Sequence, residues 1–132
     1  MSEQSEQLKE RCMTFAVSVL ALIERFPQRV GAQIVARQLA KSATSVGANY
    51  RAVCTARSDA EFVSKLCIVN EEVDEVVYWL EIAVRCKFLA PFDLDPPATE
   101  ARELRAIFGR SLKTIRQRLR TRPSTPNGQM TK

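Results

Sequence analysis

Apolar residues recur at alternating intervals of three and four positions along four separate segments of the chain. In the third segment they are Phe62, Leu66, Val69, Val73, Val76, Leu80 and Ala83. The other segments carry Leu8, Cys12, Phe15, Val19, Leu22 and Phe26; Ala32, Val35, Leu39, Ala43, Val46, Tyr50 and Val53; and Leu104, Phe108, Leu112, Ile115 and Leu119. This spacing keeps one helix face against its neighbours, and no segment alternates with period two. The pattern therefore predicts four amphipathic helices and no sheet.

Capping and proline signals set the expected helix ends. Ser58 and Glu61 have the spacing of a capping box at the start of the third helix, in which each side chain bonds the other residue's backbone amide. Pro27 should end the first helix, and Pro91 with Pro96–Pro97 should separate the third helix from the fourth. The connections are then short, which favours an antiparallel up-down-up-down four-helix bundle.

Length and composition fit one domain. The chain has 132 residues and is 45% hydrophobic, enough for a single core. We predict a bundle over residues 1–120 and a disordered basic tail over 121–132. Gly47, inside the second helix, predicts a bend or a close helix contact there. The acidic start and the lack of a long apolar stretch predict a cytoplasmic protein without a membrane partner.

The residue inventory argues against most enzyme classes. There is no histidine, and the four glycines form no phosphate-binding loop. The four cysteines, Cys12, Cys54, Cys67 and Cys86, are scattered without a C-x-x-C pair. They are interpreted as buried free thiols rather than metal ligands. The sequence thus predicts a non-enzymatic protein with no cofactor and no metal.

Two carboxylates on the third helix leave an alternative open. Glu72 and Glu75 are three residues apart, share a helix face, and could bind a hard divalent cation for catalysis. An acidic helix face more often reflects solvation or ion pairing with arginine or lysine from another helix or subunit. We therefore favour ion pairing over a metal site.

Charge is segregated along the chain, whose net charge is +5. No acidic residue lies between Glu24 and Asp59 or beyond Glu103. The fourth helix carries a basic ridge of Arg102, Arg105, Lys113, Arg116 and Arg120, on a face distinct from its apolar stripe. A second cationic set is Arg37, Lys41, Arg51 and Arg57. Such cations can follow the phosphate backbone of RNA or DNA without reading its sequence.

The same charges have a structural interpretation. Cations near a helix C-terminus complement the helix dipole, and basic second and fourth helices can pair with an acidic third helix. Two hypotheses follow: an accessory protein that binds RNA or DNA, or an assembly and adaptor protein whose charged faces contact other subunits or a protein partner.

One set of residues resembles a known family. The run Ser45–Arg51 (SVGANYR) is followed by Arg57, Ser58, Glu61, Phe62, Lys65, Glu72, Glu75, Trp79 and Leu80. Over Arg11 to Leu119 the chain resembles the small bacterial four-helix-bundle products of intervening sequences in 23S ribosomal RNA genes. The resemblance implies a homopentameric ring and no established enzymatic activity. Related proteins accompany the reverse transcriptases of diversity-generating retroelements and use basic surfaces toward nucleic acid.

Polar residues within this matched region suggest a structural role. Asn49, Arg51, Lys65, Glu72 and Glu75 lie on or beside faces that also carry Tyr50 and Trp79. Partly buried polar groups must find partners. We therefore predict a polar network of Asn49, Arg51, Lys65, Glu72, Glu75 and Trp79 between helices or subunits, which sets register and assembly.

Overall fold

The computed structural model describes residues 2–122, which form four helices and no strand. They are α1 (Glu3–Ile23), α2 (Val30–Cys54), α3 (Asp59–Arg85) and α4 (Pro91–Thr121). A short connection joins each helix to the next, and the two pack against each other. Helix α1 also touches α4. The all-α four-helix bundle is therefore confirmed. Of the predicted tail, residues 123–132 lie outside the described part of the chain.

The predicted apolar stripes form the core. All seven stripe residues of α2 are buried, and Leu39, Leu66, Leu104 and Phe108 are almost fully inaccessible to solvent. Four stripe residues are only half-buried, namely Leu8, Phe62, Leu112 and Leu119. These four belong to the start of α1, the start of α3 and the end of α4, which meet at one end of the bundle. The core is therefore less completely covered at that end.

The start of α3 is capped through one half of the predicted capping box. The backbone amide of Glu61 donates to Ser58 Oγ at 3.1 Å, which satisfies one of the free amides of the first turn. The Glu61 carboxylate does not return to the Ser58 amide. It lies 3.8 Å from Arg57 Nε instead.

The expectation that prolines separate α3 from α4 up to Pro97 is wrong. α4 begins at Pro91, and Pro96 and Pro97 lie inside it. Pro91 occupies the first turn, where a missing N–H costs nothing. Pro96 and Pro97 each remove one helical hydrogen bond. Leu94 and Ala98 are buried on either side of this pair, so core packing keeps the segment helical.

Gly47 marks a close approach between α1 and α2, as predicted. A Cβ atom added at Gly47 would lie 3.2 Å from Cys12 Cβ, closer than ordinary van der Waals contact. Cys12 is buried, and burial raises the pKa of its thiol to about 12. All four cysteines are free, but Cys86 is exposed and the other two are half-buried. The prediction of buried thiols therefore holds only for Cys12.

Arg11 fastens α1 to α4, which touch less extensively than the other neighbouring helices. Its guanidinium donates to both carboxylate oxygens of Glu100, at 2.8 and 2.6 Å, and to Glu103 at 3.2 Å. Hydrogen bonds to Glu100 raise the pKa of Arg11 further above its usual range.

None of the four helices combines the length and apolar composition needed to cross a lipid bilayer within residues 2–122.

Candidate nucleic-acid interface

The predicted basic ridge follows the flank of α4 that adjoins α3. Arg105 Nη1 lies 3.0 Å from Asp74 Oδ1 of α3. Further along, Arg116 Nη2 donates to Cys67 Sγ at 3.2 Å. These two contacts join α4 to α3. The two halves of the ridge differ in whether carboxylates lie beside the cations.

The first half of the ridge lies among carboxylates. Arg105 is paired with Asp74, and Arg102 lines a cavity together with Glu81 and Asp95. A phosphate backbone approaching this half would meet those carboxylates as well as the arginines. We therefore regard Arg102 and Arg105 as part of the packing between α3 and α4 rather than as phosphate contacts.

The second half of α4 carries cations without carboxylates. No acidic residue occurs from Leu104 to Thr121. Lys113 and Arg120 are exposed and make no hydrogen bond or ion pair within residues 2–122. Two further exposed arginines, Arg110 and Arg118, lie beside them on another flank of α4. We define the α4 basic segment as Arg110, Lys113, Arg116, Arg118 and Arg120.

Arg110 and Arg118 were absent from the predicted ridge. The ridge was identified from helical spacing on one face, and these two arginines fall outside that face. The signal that finds them is the absence of acidic residues after Glu103. Arg122, the next cation, is half-buried and bonds Asp59 at 2.5 Å, so it fastens the end of α4 to the start of α3.

The second predicted set forms a less continuous cationic surface. Burial raises the pKa of Glu72 on α3, and Lys41 lies close enough to that carboxyl to offset part of the rise. Arg51 instead lines a groove between α1 and α2. Arg57, in the connection after α2, lies 3.8 Å from Glu61. Arg37 is exposed on α2, about 21 Å along the helix from Arg51 at 1.5 Å per residue.

The predicted polar network is not formed within one chain. No hydrogen bond or ion pair among residues 2–122 joins two of its six members, Asn49, Arg51, Lys65, Glu72, Glu75 and Trp79. The amide of Asn49 donates at 2.8 Å to the Ser45 carbonyl of its own helix. Lys65 is half-buried, and Glu75 and Arg51 are exposed. A network between subunits remains a prediction.

Trp79 has an unusual environment for an indole. Its Nε1 atom is buried and makes no hydrogen bond within residues 2–122. A buried donor without an acceptor costs about 1–3 kcal/mol. The neighbouring Tyr78 ring contacts the indole edge-on at 5.0 Å between centroids. Tyr78 is 56% exposed, so this aromatic pair reaches the surface of α3.

Glu72 opposes folding at neutral pH. Burial, with Glu75 and Glu71 nearby, raises the pKa of Glu72 above its ordinary value, although Lys41 acts in the opposite direction. Because the pKa of Glu72 is raised in the folded state, its contribution to the free energy of unfolding is greatest below the ordinary glutamate pKa. That contribution is lost as the pH rises through the raised pKa.

We expect Glu72→Gln to increase the free energy of unfolding at pH 7 and to leave it unchanged near pH 3. The gain should be about 0.2–0.5 kcal/mol, the usual size of a like-charge helix pair. Urea unfolding at the two pH values measures it, with exposed Glu10→Gln as the control. A loss of stability at pH 7 would show that Glu72 is favourably paired.

An exposed apolar groove lies between α1 and α2. On its α1 side, Met13, Val17 and Leu20 are 52%, 58% and 41% exposed. The groove has a volume of about 310 Å³, and small residues such as Gly47 and Ala48 contribute to its lining. This surface is not visible in the sequence pattern, because the α1 stripe includes only the core-facing residues. Clustered exposed apolar side chains mark interaction surfaces.

Comparison with known proteins identifies the family. The chain resembles a solved structure from Bacteroides thetaiotaomicron, described as a protein with unknown function from the S23 ribosomal protein family. The TM-score is 0.75 and the identity 27%, covering 83% of this chain and 97% of that one. No curated protein matches. The family model for the 23S rRNA-intervening sequence protein matches residues 4–110. The chain therefore belongs to the 23S rRNA-intervening sequence protein family.

Proposed function

We propose that this protein is a non-enzymatic accessory factor that binds RNA or DNA through the α4 basic segment. The observation that carries the proposal is that five cations occur within 11 residues of one helix that has no carboxylate there. At 1.5 Å per residue they span about 15 Å. Phosphate contacts from such a surface position a polynucleotide without reading its sequence.

Helix-dipole compensation does not account for the whole segment. The favourable interaction of a cation with a helix C-terminus falls off within the last turn. Arg118 and Arg120 lie in the last turn of α4, which ends at Thr121. Arg110 and Lys113 lie two to three turns earlier. Pairing with acidic α3 does not account for them either, since it engages Arg105 and Arg122 instead.

The cytoplasm is the proposed compartment. The described residues contain four free cysteines and no disulfide. Free thiols of this kind persist where the cell keeps cysteines reduced. RNA and DNA are accessible there, which fits the proposed partner.

Salt dependence tests the proposal. Each phosphate contact contributes about −0.9 to the slope of log affinity against log salt for duplex DNA. Five contacts give a slope near −4.5, so affinity should fall about 500-fold between about 50 and 200 mM salt. Fluorescence anisotropy with a structured RNA and a matched duplex DNA measures this, with light scattering to follow assembly. No binding at the lower salt would contradict the proposal.

A second function, assembly or adaptor activity, is favoured by a different observation. The apolar groove between α1 and α2 exposes Met13, Val17 and Leu20, and Trp79 Nε1 has no acceptor among residues 2–122. Contact with another subunit would cover the apolar groove. A further contact on α3 would supply a hydrogen-bond acceptor for the Trp79 indole. We propose a homo-oligomer on these grounds, and the homopentameric ring is the form expected from the resemblance.

Light scattering distinguishes this assembly surface from an ordinary exposed patch. Val17→Glu should lower the particle mass, since a charge at an apolar contact is costly to bury. Val30→Glu, at a residue that is 78% exposed outside the groove, is the matched control. An unchanged mass for Val17→Glu would exclude the groove as a subunit contact.

A further inference from the structure

We infer that the α4 basic segment holds its polynucleotide as a single strand, with unpaired bases entering a groove beside Phe62. This inference rests on the proposed function and names the form of nucleic acid that the site selects.

The groove exists because α4 extends beyond the start of α1. Ser2 and Ser5 line one cavity together with Ile107 and Ser111 of α4. The groove beside Phe62 adjoins this cavity and shares Ile107 and Ser111 with it, but no residue of α1 lines the groove. It has a volume of about 520 Å³ and lies at the end of the bundle where the apolar stripes are only half-buried.

The lining combines an apolar floor with cationic edges. Phe62, Ile107 and Ile115 supply apolar surface, and Arg110 and Arg118 supply the charge. None of the described residues that line this groove is a carboxylate. The two acidic residues in the first turn of α3 are engaged elsewhere, Asp59 with Arg122 and Glu61 beside Arg57. The charge of the groove is therefore complementary to phosphate.

This lining fits a single strand better than a duplex. A base in a duplex is covered on both faces by its neighbours, so only an unpaired base can stack on the ring of Phe62. Arg110 and Arg118 are about 12 Å apart along the helix. That distance matches about three stacked nucleotides at 3.4 Å each, so the two arginines can bind phosphates on either side of a base seated at Phe62.

The test compares labelled 12-nucleotide uridine and thymidine strands with a 12-base-pair duplex DNA, by anisotropy at about 50 mM salt. Phe62→Leu keeps an apolar side chain but removes the aromatic face. It should weaken binding of the single strands about 5- to 160-fold, the range that corresponds to the loss of one base–aromatic stack. Duplex affinity should stay unchanged. Phe92→Ala, at an aromatic residue that is 87% exposed near the other end of α4, should change neither.

The outcomes separate this inference from the proposed function. A selective loss with both strands supports a contact to base and phosphate, and a selective loss with uridine alone supports an RNA site. Unchanged single-strand affinity for Phe62→Leu would overturn the inference while leaving salt-dependent binding intact, and would favour a protein helix as the occupant of the groove. An equal loss on strand and duplex would also overturn it. Absence of all binding by the unmodified protein would overturn both proposals.

Discussion

Replacing Lys113, Arg116 and Arg120 together by glutamine is expected to weaken duplex binding by two to three orders of magnitude at about 100 mM salt. Loss of three phosphate contacts makes the salt slope about 2.7 less negative, which corresponds to a loss of about 500-fold in affinity at about 100 mM salt relative to about 1 M salt. The remaining slope should be about −1.8, from Arg110 and Arg118. Anisotropy titrations at several salt concentrations measure both quantities. The fold should persist because all three side chains are exposed.

A matched variant controls for net charge. Arg25, Arg85 and Lys87 are exposed cations at the opposite end of the bundle, and replacing all three by glutamine removes the same charge. Arg25 pairs with Asp93 and Arg85 with Glu81, but exposed pairs of this kind contribute little stability. We expect this variant to bind nearly as well as the unmodified protein. Equal losses in the two triple variants would mean that binding depends on overall charge rather than on α4.

Phe108→Ala is expected to cause the largest loss of stability of any single substitution considered, about 3–5 kcal/mol. Phe108 is fully buried, and its ring lies 5.3 Å from the ring of Tyr50 between centroids. Truncation would remove this aromatic contact and leave a cavity where α2, α3 and α4 meet. Domains of this size have a free energy of unfolding of about 5–15 kcal/mol, so the loss is a large fraction of the total.

Urea unfolding followed by circular dichroism measures this loss. Phe92→Ala serves as the control because the Phe92 side chain is 87% exposed, and surface substitutions usually change stability by less than about 0.5 kcal/mol. A loss below about 1 kcal/mol for Phe108→Ala would show that the core does not depend on packing around this ring.

The fold was predictable because a helix stripe is a local pattern. Leu66, Val73 and Leu80 fall on one face whatever the rest of the chain does, and burying that face requires partner helices. The start of α4 was predicted wrongly for the converse reason. Proline rules describe local backbone cost, whereas Pro96 and Pro97 are kept helical by the burial of Leu94 and Ala98.

The candidate site could be predicted only in part. Helical spacing correctly groups Arg105 and Arg116 on one flank of α4, but it cannot show which cations already have partners. That depends on the register between α3 and α4, which places Asp74 opposite Arg105 and no carboxylate of residues 2–122 in an ion pair with Lys113. Register follows from side-chain packing along the whole interface, so it is not visible in the spacing of either helix.

The polar network shows the same limitation. Its members lie on α2 and α3, which pack against each other. Asn49 instead bonds the carbonyl of Ser45 four residues earlier, an alternative that short polar side chains always have within a helix. The exposed α1 surface, and the lack of an acceptor for Trp79 Nε1 within residues 2–122, could be identified only once the packing of the four helices was known.

Lysine footprinting with and without a saturating single-stranded RNA or duplex DNA tests directly whether the α4 basic segment binds the polynucleotide. Lys113, Lys41 and Lys87 are all exposed, so each should react readily with a low dose of acetylating reagent in the free protein. Mass spectrometry then gives the three rates in the complex. Binding through the α4 basic segment predicts that Lys113 slows strongly while Lys41 and Lys87 do not. An unchanged rate at Lys113 in a saturated complex, with slowing at Lys41 on α2, would contradict it.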